Sequence, residues 1–412
     1  MQFSLKSGLL AVALAYSAHA ATTITVASFP DLDRSAKAAL DGFKKLHPDI
    51  EVKVVSLAYA DHHNAMTTAL ATGANLPDVM AVDYDFIGKF SESGGLEDLA
   101  KAPYNGLQYK SQISRFSLPQ GMSDTGALAA IPTDIGPGAL FYRKDILDKA
   151  GVSEAELTKS WDSYLAAGKK VKAATGAYML ANAVDLKDII IRANLKDGEG
   201  VYFDAKGNAL VDNARFVKAF EVAKAARVAG IDGKIGAWSN EWSEGFKRNQ
   251  IATQMMGAWL AGHLKNWLAP TQKGLWRSAQ LPNGAYAAWG GSFYAIPKKT
   301  ENKAAAWELI KYLTLNKQQQ IAAFRAVDAF PSLIEAQNDS FIDEPIEYLG
   351  GQKARQLWRV AAGKIPASTV DKFDSVAKEI VNSELEKVLE QNKDIKAALA
   401  DAKALIKRRV RR

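Results

Sequence analysis

The 412-residue sequence contains no cysteine. This absence excludes disulfides, thiolate metal sites, thiol catalysis and a lipid anchor on a cysteine. Histidine is scarce as well, with five in the whole chain. The adjacent His62 and His63 cannot chelate one ion by themselves, because neighbouring residues of a helix point to different faces. We therefore expect no metal ion and no cofactor.

Long apolar runs are absent after the first twenty residues. That first segment combines Lys6, an apolar run at 9–16 and an Ala-His-Ala step at 18–20. The run is far shorter than the roughly 20 apolar residues of a membrane span, and the whole pattern is typical of a secretory signal peptide. We expect residues 1–20 to be removed after Ala20 and the remaining chain to be periplasmic.

A general excess of positive charge is missing too. The formal net charge is +7, of which Lys6 carries one and residues 407–412 carry five, which leaves +1 for the rest of the chain. A nucleic-acid partner is therefore not expected. The basic end fits either a docking patch for anionic lipid or a partner, or a solvated helix end where cations are favourable. We favour the second interpretation.

The sequence does contain a regular alternation of strand and helix patterns. A chain of 412 residues favours two domains over one. Its first part alternates apolar strand patterns with two amphipathic helices, and the strands fall at residues 24–26, 50–55 and 77–82. Asp31 or Asp33 is the candidate N-cap of the first helix, and Asp61 that of the second. This order predicts an α/β lobe with a parallel sheet.

Further along, residues 131–138 are rich in proline and glycine and are expected to lead out of this lobe into a short strand at 139–142. Ser160 and Asn213 are predicted N-caps of two later helices. Two amphipathic helices are expected at the end of the chain.

The stretch at 289–314 combines an aromatic residue with a strand and a helix. Trp289 precedes two glycines, and residues 292–296 form an apolar strand pattern that Pro297 ends. Thr300 or Asn302 is the candidate cap of a following helix. Such an arrangement is typical of the wall of a cleft.

Several motifs resemble, in order, those of extracellular solute-binding proteins of the sugar (maltose-type) ABC importers. They are the Gly-x-x-x-Pro-Asp-Val run at 73–79, the Tyr-x-Lys-Asp-x-Leu run at 142–147, Ser-Trp-Asp at 160–162, Ala-x-x-x-x-Gly-x-Trp at 252–259 and the stretch at 289–314. The resemblance covers nearly the whole chain after residue 20. It departs from the family at the Trp-Gly-Gly-Ser step and at the arginine-rich end.

The resemblance implies a two-lobe periplasmic binding protein fold of α/β class, type II-like. Each lobe would be a mostly parallel sheet flanked by helices, and a multi-strand hinge would join the two. Lobe 1 would comprise residues 21–133 and 292–330, and lobe 2 residues 134–291 and 331–412. The expected partners are a carbohydrate ligand held between the lobes and the permease subunits of an ABC transporter. A monomer is expected.

Sugars present C–H faces that pack on aromatic rings and hydroxyl groups that need polar partners. The resemblance places Trp238, Trp259 and Trp289 in the cleft, whereas Trp267 and Trp276 are expected to be structural. Acceptors for hydroxyl groups are expected where predicted strands end, because ligands bind at the carboxyl ends of strands in open α/β sheets. The acidic candidates there are Asp31, Asp83 and Asp134.

Four further residues complete the predicted site. Tyr84 follows the third strand beside Asp83, and Gly291 and Ser292 can donate hydrogen bonds at the hinge. Arg325, close to a third crossing between the lobes, is the candidate cation for a ligand oxygen. An N-cap role for each aspartate and a surface role for the arginine are the alternatives.

Two other functions use similar residues. A secreted glycosidase needs two carboxylates beside a sugar cleft, and the same aspartates could supply them. A binding protein for a non-sugar polar solute, such as a glycerophosphate compound, would need clustered cations, whereas Arg115, Arg143 and Arg325 are scattered in the sequence. We favour a binding protein without enzymatic activity.

Overall fold

The computed structural model describes residues 21–410, so the predicted signal peptide lies outside the described residues. The strands are β1 Thr22–Ser28, β2 Ile50–Ser56, β3 Val79–Asp83, β4 Ala130–Arg143, β5 Thr253–Gly257, β6 Trp276–Ala279, β7 Ala288–Ala295 and β8 Phe330–Pro331. The helices up to β7 are α1 Leu32–Leu46, α2 Tyr59–Thr72, α3 Tyr84–Ser91, α4 Lys144–Lys149, α5 Glu154–Thr158, α6 Trp161–Thr175, α7 Ala183–Arg192, α8 Ala214–Val228, α9 Asn240–Lys247 and α10 Leu260–His263. Those after β7 are α11 Lys303–Leu315, α12 Lys317–Val327, α13 Ile334–Gln337, α14 Ala354–Lys364, α15 Asp374–Gln391 and α16 Ile395–Arg409.

The strands form one connected sheet in the order β2-β1-β3-β7-β4-β5, and β6 and β8 also pair with β4. Strand β1 is parallel to β2 and β3, as the alternation of strands and helices predicts. The strands of the second half pair antiparallel with β4, and β7 is antiparallel to β3. The prediction of a mostly parallel sheet therefore holds for the first three strands, and the whole sheet is mixed.

Strand β4 contains the short strand predicted at 139–142, but it begins earlier and includes the proline- and glycine-rich residues 131–138. It is continuous over fourteen residues. Two register shifts against β7, between Pro132 and Asp134 and between Ile135 and Pro137, accommodate the prolines and Gly136. The first half of β4 pairs with β7 and β8, and the second half pairs with β5 and β6. This strand therefore runs from one lobe into the other.

Hydrophobic cores lie on both sides of this crossing. The first lobe packs α1 and α11 against β1 to β3 through residues such as Val26, Phe43 and Ile310. The second lobe packs α6, α7, α8, α15 and α16 around residues such as Phe216 and Leu385. Each lobe therefore draws on separate stretches of the chain. The exact lobe boundaries stay a prediction.

Half of the α-helices within residues 21–410 begin with a side-chain N-cap hydrogen bond. The side chains of Ser160 and Asn213 accept backbone N–H bonds at the starts of α6 and α8, which confirms both predicted caps. Asn302 occupies the cap position of α11 without a side-chain cap bond. The prediction for Asp61 is wrong, because α2 begins at Tyr59 and places Asp61 in its first turn, where an acidic side chain is favoured by the helix dipole.

Within residues 21–410, no helix has both the length and the apolarity that a membrane span requires.

Candidate functional site

The carboxyl ends of β1, β2 and β3 lie at the same edge of the sheet, and the residues that follow them meet there. Asp31 follows β1, Tyr59 follows β2 and Asp83 ends β3. The Tyr59 hydroxyl donates to Asp83 Oδ1 over 2.7 Å. The Phe29 ring lies edge-on to Tyr59, with centroids 5.6 Å apart. This edge therefore combines a carboxylate with aromatic surface.

Asp83 is held by several backbone and side-chain contacts. Its Oδ1 accepts the Asp85 N–H at the start of α3 over 2.9 Å, so it is also the N-cap of that helix. Its own N–H donates to His63 Nε2 over 3.2 Å. The other ring nitrogen, Nδ1, therefore carries the proton and donates to the Tyr59 carbonyl over 2.7 Å. Burial, followed by the charge of Asp85, raises the pKa of Asp83 to about 7.

Three of the predicted residues form a row across neighbouring strands. Ser292 on β7 lies opposite Asp83 on β3 and opposite Asp134 on β4. Burial raises the pKa of Asp134 to about 6, although hydrogen bonds with Ser292 act in the opposite direction. The buried Asp134 Oδ1 has no hydrogen-bond partner among the described residues. Beside the hinge strands, Asp134 therefore holds a buried acceptor whose hydrogen-bonding capacity is unused.

The three tryptophans predicted to line the cleft contact one another. The rings of Trp238 and Trp259 are stacked with centroids 5.8 Å apart, and Trp238 is 56% exposed. The Trp259 indole N–H donates to the Trp289 carbonyl over 2.8 Å. The Arg192 guanidinium lies over the Trp289 ring, 5.2 Å from its centroid.

Gly291 has a φ of 134°, a conformation that side chains rarely adopt. An added Cβ would lie 3.1 Å from the Asp134 carbonyl oxygen. The glycine therefore allows β7 and β4 to approach at the point between the acidic row and the tryptophans.

Charged groups of the two lobes meet beside these residues. Asp85 on α3 pairs with Lys378 of α15 over 2.6 Å and with Arg192 of α7 over 3.9 Å. Burial alone would raise the pKa of Asp85, but Lys378 and Arg192 lower it below its usual value. Tyr84, also predicted, is buried and with Asp374 lines a cavity of about 10 Å³ here, enough for about one water.

Asp31 makes a second link between the lobes. Its Oδ2 lies 2.9 Å from Nδ1 of His263 on α10. Burial raises the pKa of Asp31, but the hydrogen bond and charge of His263, with a contribution from Arg34, bring it below the usual value. The same Nδ1 is 2.9 Å from the indole nitrogen of Trp267. Because one ring nitrogen cannot donate and accept at once, these two contacts need different protonation of His263.

Arg325 does not join this group through its side-chain contacts. Its guanidinium forms two hydrogen bonds of 2.8 and 2.7 Å with Glu344 and lies over the Phe341 ring. The side chain is half exposed. The surface alternative accounts for these contacts, and we leave Arg325 out of the proposed site. Trp276 is fully buried in the second lobe, in line with its expected structural role.

Several residues of this region were not found from the sequence. Tyr59 could have been, because it follows β2 in the same way that Asp31 follows β1. Arg192, His263 and Lys378 had no comparable sequence signal, since they reach the site from helices of the other lobe. Within residues 21–410, no group of three or more histidine and acidic side chains is placed to hold a metal ion.

Comparisons with known proteins agree with this architecture. The family model described as bacterial extracellular solute-binding protein matches residues 27–320. The lactose-binding protein of Rhizobium radiobacter is 28% identical over 346 residues, which cover 80% of this chain and 79% of that protein.

Solved structures share the fold. One described as extracellular solute-binding protein family 1 has a TM-score of 0.80 at 24% identity and covers 94% of this chain and 99% of its own. The ABC transporter associated binding protein from B. animalis subsp. lactis Bl-04, in complex with β-1,6-galactobiose, has a TM-score of 0.75 at 22% identity and covers 94% and 97%. The two-lobe α/β fold predicted from the sequence is confirmed, and the chain belongs to the family of bacterial extracellular solute-binding proteins.

Proposed function

We propose that this protein is the substrate-binding component of an ABC sugar importer. It captures a mono-, di- or oligosaccharide between its lobes and delivers it to the membrane permease, without covalent chemistry. The observation that carries the proposal is the placement of two groups on strand β7. Trp289, which accepts the hydrogen bond of Trp259, and Ser292, which lies opposite Asp83 and Asp134, are three residues apart on this strand.

The chemistry of this arrangement suits a sugar. Indole faces pack against the C–H face of a pyranose ring, and carboxylates accept hydrogen bonds from its hydroxyl groups. Trp238 is largely exposed, so a stacked sugar would gain apolar contact that water now occupies. The unpartnered Asp134 Oδ1 would gain a donor.

The mechanism we infer is closure of the lobes around the ligand. Residues 21–133 and 292–330 would form one moving body, and residues 134–291 and 331–412 the other, with β4, β7 and β8 as the hinge. Closure would present a matched surface to the permease. The protein would act as a periplasmic monomer after cleavage behind Ala20.

The test is a thermal-shift panel on the purified chain without residues 1–20. The panel contains lactose, arabino-oligosaccharides, maltooligosaccharides and β-1,6-galactobiose, all sugars that related proteins are named for binding. A ligand at 100 times its Kd adds about 2.7 kcal/mol and raises the melting temperature by a few degrees. A shift confined to one sugar class would support the proposal and name the cargo.

Other outcomes would point to the alternatives. A shift with glycerophosphate compounds alone would indicate an anionic solute. No feature of the site favours that ligand, since Arg192 and Lys378 are already paired with carboxylates. Turnover of a chromogenic glycoside would indicate an enzyme, and no shift with any sugar would contradict the proposal.

A further inference from the structure

Residues 366–374, which we call the clasp, connect two helices of the second lobe. The clasp follows α14, whose Trp358 is buried in that lobe, and leads into α15, which contributes Ala377 and Leu385 to its core. Backbone hydrogen bonds also tie it there. Gly198 N–H donates to the Ala367 carbonyl over 2.7 Å. The clasp is therefore anchored to the second lobe at both ends.

The middle of the clasp is packed against the first lobe. Ser368 Oγ accepts from Gln120 Nε2 over 3.3 Å, and both side chains are buried. Val370 packs against a hydrophobic cluster of the first lobe that contains Ile87 and Phe90. These contacts cross between the lobes, so they must break if the lobes separate.

The backbone of the clasp lies against Gly88 in the middle of α3. A Cβ added to Gly88 would lie 2.7 Å from the Asp371 carbonyl oxygen and 2.9 Å from its carbon. Both are backbone atoms, so no side-chain rotation can relieve the overlap. Gly88 has ordinary helical geometry, in which alanine is the better residue, so α3 by itself does not require glycine. The requirement comes from the clasp.

We propose that the clasp docks on α3 when the lobes close, and that Gly88 is the positioning residue that permits this docking. The proposal rests on the closure mechanism given above, but it does not depend on which sugar binds. A side chain at position 88 leaves the open protein intact and holds the lobes apart on this side of the cleft.

The absence of cysteine allows a direct test. Gln120→Cys and Ser368→Cys are introduced together, and a short bifunctional thiol reagent links them only when the clasp is docked. Because the link is irreversible, even brief closure accumulates product. The linking rate is measured without ligand in three proteins. The first carries the two cysteines alone, the second also carries Gly88→Ala, and the third also carries Gly363→Ala. Gly363 is the matched control, since it lies in helix α14 with open space around its added Cβ.

We expect Gly88→Ala to slow linking by about tenfold or more, as an overpacked contact does, and Gly363→Ala to leave the rate within about twofold. The melting temperature of ligand-free Gly88→Ala should not fall below that of Gly363→Ala. Equal linking rates in all three proteins, or no linking in any, would overturn the proposal. So would a lower melting temperature of Gly88→Ala, because the contact would then belong to the ligand-free fold. If the linking rates differ as expected but the protein binds no sugar, the proposal for the clasp stands and only the proposed ligand is refuted.

Discussion

The indole N–H of Trp259 donates to the backbone carbonyl of Trp289, and glycines from three strands surround this hydrogen bond. A Cβ on Gly136 of β4 or on Gly257 of β5 would overlap the Trp289 carbonyl oxygen. A Cβ on Gly290 of β7 would lie 3.0 Å from the indole nitrogen. The bond fixes the Trp259 ring at the point where β7 and β4 pass between the lobes, so the aromatic surface is held by the hinge strands themselves.

Trp289→Ala should lower the affinity for the sugar by roughly 1–3 kcal/mol and leave the protein folded, since it removes an aromatic contact with the ligand. Calorimetric titration with the sugar found in the panel measures the loss. The matched control is Trp276→Ala, which empties a fully buried position and should reduce the free energy of unfolding by about 3–5 kcal/mol. Normal binding by Trp289→Ala would refute our placement of the site.

Asp134 should make stability depend on pH. Burial raises its pKa to about 6, above the usual 3.8 of an aspartate. The folded protein therefore binds this proton more tightly than the unfolded chain does. The resulting stability is present below about pH 4 and is lost as the pH rises through about 6.

Between pH 4 and 7, the free energy of unfolding of the unaltered protein should therefore fall by up to roughly 2–3 kcal/mol because of this carboxyl. In Asp134→Asn this contribution to the fall should be absent. Urea unfolding of both proteins across this range measures the difference. Parallel pH profiles for the variant and the unaltered protein would show that this carboxyl does not titrate as we expect.

Arg325→Ala should leave sugar affinity within about twofold, because its guanidinium is paired with Glu344. The pair is half exposed, so the free energy of unfolding should change by less than about 1 kcal/mol. Titration and urea unfolding of the same preparation test both points. A large loss of affinity would show that Arg325 does belong to the sugar-binding site.

Asp31 and His263 should be energetically coupled across the lobes. A double-mutant cycle with Asp31→Ala and His263→Ala should give a coupling of about 0.5–1 kcal/mol in sugar affinity, since the pair is partly exposed. The Trp267 indole competes for the same ring nitrogen, so Trp267→Phe should increase the coupling. Additive single changes would show that this contact does not contribute to closure.

The local structure could be predicted from the order of the amino acids. Periodicity and capping residues gave α6, α8 and α11 within a few residues, because hydrogen bonds and apolar stripes within a helix depend on nearby positions. The same reasoning placed Asp31 and Asp83 at strand ends, and the ordered motifs identified the family. The same reasoning made β4 too short. Prolines and glycines usually end a regular strand, but a strand with bulges can contain them.

The contacts between side chains that are distant in the sequence depend on the tertiary fold. Lys378 reaches Asp85 across 293 positions of sequence, and Gln120 reaches Ser368 across 248. Such contacts depend on how two separately packed lobes are oriented, and no local pattern encodes that orientation. The same holds for Gly88, whose local geometry would accept alanine and whose need for glycine comes from a backbone segment of the other lobe.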